Sequence, residues 1–235
     1  FALRSGETIE AVLMQYHQRN TLCISSQAGC AMNCSFCATG QMGFKRNLTS
    51  GEIIEQVLYY ARFLREMNSQ VTNIVFMGMG EPFHNYESVM SAISIMNDSK
   101  GLGLGERRFT ISTVGIIPAI ERFTRESRQI NLAISLHAVD DELRSSMIPV
   151  NRKYPVDDLL EACKHYASIT RRRVTFEWAL IHLKNDTVDQ ARKLAKKVSG
   201  LLCHVNLIPL NPTSGYNGRG STRERAEAFR QILLD

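Results

Sequence analysis

The sequence predicts an α/β fold built as a curved, partly open barrel of six strand–helix units, and three observations carry that expectation. Apolar, β-branched runs alternate with stretches of helical period throughout the 235 residues. Such alternation implies right-handed crossovers and a parallel sheet. Six units are too few for a closed eight-unit barrel, and polar residues gather at the carboxyl ends of the strands, where α/β barrels build their active sites. That placement favours a partial barrel over a doubly wound sheet.

Residues 21–26 read as the first strand. After a cysteine-bearing loop, Thr49-x-x-Glu52 forms a capping box, and Ile53, Ile54, Val57, Leu58, Ala61 and Leu64 give the next helix one apolar face. Residues 71–77 are a nearly continuous apolar run of the kind buried on both faces of a parallel sheet, ending in Gly78-Met79-Gly80-Glu81-Pro82. Val89, Ala92, Ile93 and Met96 mark the second helix, and a glycine-rich loop over 101–105 leads to a strand at 109–113. The third helix starts beyond Pro118 and runs toward Arg128. Residues 130–136 are the fourth strand, followed by His137 and a helix carrying Leu159, Leu160, Cys163, Tyr166 and Ala167, with Pro155 near its first turn. Residues 174–180 are the fifth strand. The helix through Ala191, Leu194, Ala195 and Val198 ends at Gly200, a suitable residue just past a helix terminus. Residues 204–208 are the sixth strand, and Ser221-x-x-Glu224 is expected to cap a last helix with Ala226, Phe229, Ile232 and Leu233 turned inward. Ahead of the barrel, Glu10 sits in the short apolar segment 9–13, where it would be an edge-strand carboxylate.

A chain with 44% hydrophobic residues can bury one large core. Residues 1–20 read as an N-terminal extension and 21–235 as the barrel domain. No apolar run is long enough to span a membrane, and no basic-then-apolar leader opens the chain. A cytoplasmic protein with no membrane partner is expected. Six cysteines, three of them clustered, fit a reducing compartment and metal ligation better than a disulfide framework. The net charge of +5 is compatible with a polyanionic partner, although each basic cluster alone reads as a solvated face.

Cys30, Cys34 and Cys37 lie within eight residues, spaced x3 then x2. A structural zinc site is normally closed by four protein ligands, and an electron-transfer cubane takes four cysteines. Three thiols leave one position for a small molecule. A zinc knuckle with a distant fourth ligand and three merely buried thiols are the alternatives. The loop at Gly80 can bring bare backbone close to a ligand, and Glu81 offers a strand-end carboxylate, though without the cysteines this is an ordinary βα turn. Ser112, Ser135 and Asn211 suit a ribose or an amino-acid carboxylate, and equally a helix cap. His137 reads equally as a structural hydrogen-bonding residue and a ligand contact. Cys23, Cys163 and Cys203 read as buried thiols.

The stretch from Cys23 through the three cysteines to Gln41, followed by Lys45-Arg46-Asn47-Leu48, resembles the RlmN/Cfr family of radical S-adenosylmethionine (SAM) RNA adenine methyltransferases. So do the segments 78–82, Ser135-Leu136-His137-Ala138 and 206–212, and the resemblance runs from about Glu10 to the last residue. It implies the partial (β/α)6 barrel of the radical-SAM type, with a 4Fe-4S cluster on Cys30, Cys34 and Cys37. It also implies SAM contacts from Gly80, Glu81, Ser112, Ser135, Leu136, His137 and Asn211. Glu10 matches the family's proton acceptor, and Cys23 matches a cysteine that helps resolve the protein–RNA adduct. The implied reaction methylates carbon 2 of adenosine in 23S rRNA and some tRNAs through a methylcysteine intermediate. Radical chemistry is needed because that amidine carbon is too electron-poor to attack a sulfonium methyl. The implied partners are 23S rRNA, tRNA and a low-potential electron donor such as flavodoxin or ferredoxin.

The family's RNA-binding domain precedes the barrel and its methyl-carrying cysteine follows the last helix, so the sequence is expected to be truncated at both ends. Three other functions remain open: methylation at carbon 8, a radical-SAM reaction without methyl transfer, and a zinc-stabilised RNA-binding module.

Overall fold

The computed structural model describes residues 1–234. It begins with β1 (Val12–Tyr16), β2 (Arg19–Cys23), β3 (Gln27–Gly29), α1 (Ala38–Gln41), β4 (Phe44–Asn47), α2 (Ser50–Glu66), β5 (Asn73–Phe76) and α3 (Tyr86–Asn97). There follow β6 (Phe109–Thr113), α4 (Ile117–Glu126), β7 (Asn131–Ser135), α5 (Asp141–Met147), α6 (Val156–Thr170), β8 (Val174–Leu180), α7 (Val188–Val198), β9 (Cys203–Pro209) and α8 (Arg223–Leu234). The six expected strand–helix units are therefore β2–α2, β5–α3, β6–α4, β7–α6, β8–α7 and β9–α8. The described residues form two compact units, one made of 1–31, 42–113 and 128–132, the other of 32–41, 114–127 and the chain from 133 onward.

In the first unit β2 runs parallel to β5, with Thr21 opposite Asn73, and β5 runs parallel to β6, with Ile74 opposite Phe109. The hairpin partner β1 lies antiparallel to β2. Glu10 precedes that edge strand instead of lying in it, and is exposed. The capping box forms as expected: Thr49 Oγ1 accepts the Glu52 N–H at 3.2 Å and Glu52 Oε2 accepts the Thr49 N–H at 2.9 Å. Arg46, 2.7 Å from Glu52, holds that carboxyl down at about 2. Ile53, Val57 and Leu64 are buried on the stripe that the period required, and α2 packs on α3. A short ribbon of β3 against β4 was not legible, because three and four residues carry no period. In it Gly29 has φ +74°, and a Cβ there would stand 1.9 Å from the Gly43 carbonyl oxygen.

In the second unit β8 and β9 pair in parallel over seven residues, from Val174 opposite Cys203 to Leu180 opposite Pro209. Helix α4 packs on α6, where the Phe123 and Tyr166 rings stack 6.0 Å apart, and α7 packs on α8. Trp178 and Phe229, both buried, meet at 5.5 Å. Gly200, just past α7, has φ +75°, the left-handed conformation its position demands. The last helix begins differently from expectation. Thr222 Oγ1 accepts the Arg225 N–H at 3.4 Å, whereas Ser221 Oγ donates to Asp186 Oδ2 at 2.6 Å. The Asp186 side chain is fully buried and takes two further bonds of 2.7 Å from Arg225, so Ser221 is held at that carboxylate while Thr222, directly before the helix, takes the cap position. Cys163 is buried and its thiol is pushed up to about 12 by burial, while Cys203 in β9 is only half-buried. Among the described residues no helix is long and apolar enough to cross a membrane.

Replacing Gly29 with Ala should destabilise the protein by more than about 1 kcal/mol, because the new Cβ meets backbone and the φ is unfavourable for it. Urea unfolding monitored by circular dichroism measures this, and a midpoint equal to the parent's would contradict the crowding argument.

Candidate active site

In the first unit two loops are interlocked at the carboxyl ends of β2 and β5. The chain leaving β2 donates the Ile24 N–H to the Val75 carbonyl at 3.0 Å, and the Ile24 carbonyl accepts the Gly78 N–H at 3.1 Å. One turn on, Ser26 and Gln27 both donate their N–H to the Met79 carbonyl, at 2.9 and 3.1 Å. Buried side chains complete the lattice. Ser25 Oγ accepts the Met79 N–H at 2.9 Å and donates to the Glu10 carbonyl at 2.6 Å. The Gln56 amide exchanges two bonds with the Ser25 backbone, at 2.9 and 3.0 Å. Gln27 Oε1 accepts the Glu81 N–H at 2.8 Å.

This close approach explains the two loop glycines. A Cβ on Gly78 would lie 2.8 Å from the Ile24 carbonyl, and Gly80 combines φ +102° with a 2.5 Å approach to the Gln27 side chain. Glu81 is 2% exposed. Its carboxylate accepts the Phe83 N–H at 3.0 Å and so caps the short 3-10 turn at Pro82–Asn85. Ser112 is the half-buried penultimate residue of β6. Cys23 ends β2 half-buried, and burial pushes its thiol pKa up against a hydrogen bond from the Met77 backbone. Cys30, buried just after the ribbon, donates its N–H to the Gly43 carbonyl at 3.1 Å. Glu10 lines a surface cavity with Phe1, Ile9, Ala11, Tyr59 and Tyr60.

The second unit carries the remaining cysteines. Cys34 is buried and Cys37 half-buried, in a cluster with Met147, Ile148, Ile181 and Leu210. Their loop turns through Asn33 at φ +51°, donates the Ser35 N–H to the Met147 carbonyl at 2.9 Å, and enters α1 directly after Cys37. Ser135 closes β7 and Leu136 is fully buried. His137 follows at φ +58°, a strained conformation for a non-glycine residue. Its Nδ1 accepts the Ala179 N–H at 2.8 Å, and its carbonyl accepts Asn185 Nδ2 at 2.7 Å. Burial first, and the Arg144 charge second, push the imidazole down to about 3. It is therefore neutral, with its hydrogen on Nε2. The Phe36 ring stands edge-on to it at 5.0 Å. Asn211 lies exposed beyond β9.

Sequence reasoning missed Arg144. Its guanidinium is 0% exposed and donates to the carbonyls of Val114 (2.7 Å), Ser135 (3.0 Å) and Leu136 (2.9 Å) and to Asn151 Oδ1 (2.8 Å). The acid-rich run Asp140-Asp141-Glu142 disguised it as solvated, yet its spacing of three and four from Met147 and Ile148 puts it on the inward face.

The three cysteines are soft thiolate donors suited to an iron–sulfur cluster. Among the described residues no three His, Cys, Asp or Glu side chains form a single-ion group, so the fit is one of donor chemistry. Ser35 Oγ adds to it: between Cys34 and Phe36 this buried hydroxyl has no hydrogen-bond partner among the described residues, as expected of a donor that faces a polar occupant.

A model of the radical SAM superfamily matches residues 24–197. The dual-specificity RNA methyltransferase RlmN 1 of Myxococcus xanthus is 50% identical over 231 residues, covering 98% of this chain and 64% of that protein. A probable dual-specificity RNA methyltransferase RlmN of Moorella thermoacetica is 51% identical, covering 99% of this chain and 67% of that protein. The chain thus spans about two thirds of the length of these relatives. A crystal structure of a radical SAM methyltransferase from Sphaerobacter thermophilus superposes with a TM-score of 0.97 at 52% identity, covering 98% of this chain and 68% of that one. The fold class is accordingly the α/β partial (β/α)6 barrel expected from the sequence. With a family model over most of its length and relatives half identical across nearly all of it, the chain belongs to the radical SAM superfamily and, within it, to the RlmN family.

Proposed function

We propose that the chain is the radical-SAM barrel of an RNA methyltransferase that methylates carbon 2 of adenosine in 23S rRNA and some tRNAs through a methylcysteine intermediate. One observation carries the reading. The three-cysteine loop lies in a chain half identical, over nearly its whole length, to proteins named dual-specificity RNA methyltransferases. Cys30, Cys34 and Cys37 would hold the 4Fe-4S cluster, which when bound supplies the electron that cleaves SAM.

The chain's own residues bind and orient. Glu81, nearly dry at its strand end, offers a carboxylate to the ammonium of SAM, where a charge-assisted hydrogen bond is strong. Gly80 lets bare backbone approach the same ligand. Ser112, Ser135 and Asn211 offer hydroxyl and amide groups to its ribose or carboxylate. Leu136 supplies apolar wall, and neutral His137 offers the Nε2 hydrogen. Glu10 is the proton acceptor in this reading, and Cys23, whose thiol pKa burial raises, resolves the adduct with RNA. A low-potential donor such as flavodoxin or ferredoxin supplies the electron, in the cytoplasm where the RNA substrates reside.

The test is anaerobic incubation of the full-length protein with reductant, SAM and unmodified ribosomal RNA or tRNA, followed by mass spectrometry of digested nucleosides. 2-Methyladenosine is the expected product. 8-Methyladenosine, or 5′-deoxyadenosine alone, would replace this reading with another of the same superfamily.

Replacing any one of Cys30, Cys34 or Cys37 with Ala should abolish the broad absorption near about 400 nm of thiolate-bound iron–sulfur centres after anaerobic reconstitution. A variant that keeps full iron, sulfide and absorption removes that cysteine from the ligand set.

Glu81→Gln keeps an acceptor for the Phe83 N–H while deleting the charge. SAM binding measured by calorimetry should weaken by about 1.5–3 kcal/mol, roughly 10- to 150-fold, with cluster content unchanged. Equal affinity in a cluster-loaded variant takes Glu81 out of the SAM site.

A further inference from the structure

We propose that Arg144 is a positioning residue for the cluster: its buried guanidinium braces the strand ends beside Cys34 and its fixed charge favours the reduced cluster. This rests on the reading of Cys34 as a cluster ligand. A fully buried guanidinium normally faces a carboxylate, because burying an uncompensated charge is costly. The four groups that Arg144 bonds are three main-chain carbonyls and one side-chain amide, all neutral. Of those carbonyls, Ser135 closes β7, Leu136 follows it, and Val114 opens the segment that leads into α4.

The titratable groups near enough to act on the guanidinium are Cys34, Asp141 and Cys163, and of these Asp141 is the carboxylate. Asp141 is joined to it by hydrogen bonds through Asn151, whose Nδ2 donates to Asp141 Oδ1 at 2.8 Å and whose Oδ1 accepts from Arg144. Burial lowers the Arg144 pKa to about 10, so the side chain stays charged at neutral pH. Arg144 is also mechanically joined to the cysteine loop. Its helix α5 ends at Met147, whose carbonyl accepts the Ser35 N–H at 2.9 Å, and Met147, Ile148 and Leu143 pack in the Cys34 cluster. A cubane on three thiolates is anionic, and taking up an electron adds negative charge. A fixed cation in a low-dielectric wall stabilises that product more than the oxidised form.

The test uses the full-length protein, reconstituted anaerobically, with the cluster's midpoint potential read by electron paramagnetic resonance during redox titration. Iron, sulfide and circular dichroism are measured alongside. Arg144→Gln should load a cluster whose midpoint is more negative than the parent's. Arg144→Lys, which keeps the charge but loses the planar fork, should lie nearer the parent. Asp141→Asn leaves the guanidinium untouched, keeps an acceptor for the Val156 N–H, and removes a counter-charge, so its midpoint should move upward. That variant decides the matter if the Arg144 variants do not fold. A parent-like potential in loaded Arg144→Gln, or no upward shift in Asp141→Asn, overturns the proposal. A parent protein that takes up no cluster refutes the Cys34 assignment instead.

Discussion

Every main-chain N–H and C=O withdrawn from water in a strand-end loop must find a partner, and that constraint organises both units. Helix and ladder bonds are exhausted at those positions, so side chains have to finish the work. In the first unit Ser25, Gln27, Gln56 and Asn85 do so, with Asn85 Nδ2 bonding the Ser26 and Leu48 carbonyls at 2.9 and 2.8 Å. In the second unit Arg144 and Asn185 have the same task. Asn185 alone serves the His137 and Ala179 carbonyls and the Ile181 N–H, each at 2.7 Å. Residues that could contact a ligand, such as Glu81 and His137, are thereby fixed through their neighbours' amides and carbonyls before any ligand binds.

The elements with a clear period were legible: α2 from its capping box and stripe, β8 from its apolar run, α7 from its closing glycine. That candidate residues such as Ser112 and Ser135 stand at strand ends was legible too, because alternation alone locates those ends. What was hidden is informative. The β3–β4 ribbon and α5 are too short to show a period, and the expected Ser221 cap is replaced by Thr222 because the helix starts one residue later, with Ser221 held at Asp186, distant in sequence. Gln56 and Arg144 were read past because polar residues in charged or amphipathic helices default to solvent. In both cases the signal was present as register: Gln56 lies three residues after Ile53, and Arg144 three before Met147.

His137 shows how far local context can override a residue's ordinary chemistry. An imidazole usually titrates near neutrality, yet here the Ala179 amide fixes Nδ1 as an acceptor and burial fixes the neutral form. The positive φ at the same residue is held by the Asn185 bond to its carbonyl. The outcome is a hydrogen-bond donor of constant character across the physiological range. Glu177 in β8, whose carboxyl pKa is raised by burial against the 2.8 Å bond from Asn206, is another residue whose environment resists charge.

Neither compact unit is a continuous stretch of chain, and this bears on how the protein is made. The first includes residues 128–132, by which point 32–41 and 114–127, both belonging to the second, have already been synthesised. A chain emerging amino end first therefore has no opportunity to finish one unit before beginning the other. Sequential assembly of independent domains, the usual refuge of larger chains from misfolding, is closed to it. The pairings that matter are non-local, so folding should be slow and largely post-synthetic.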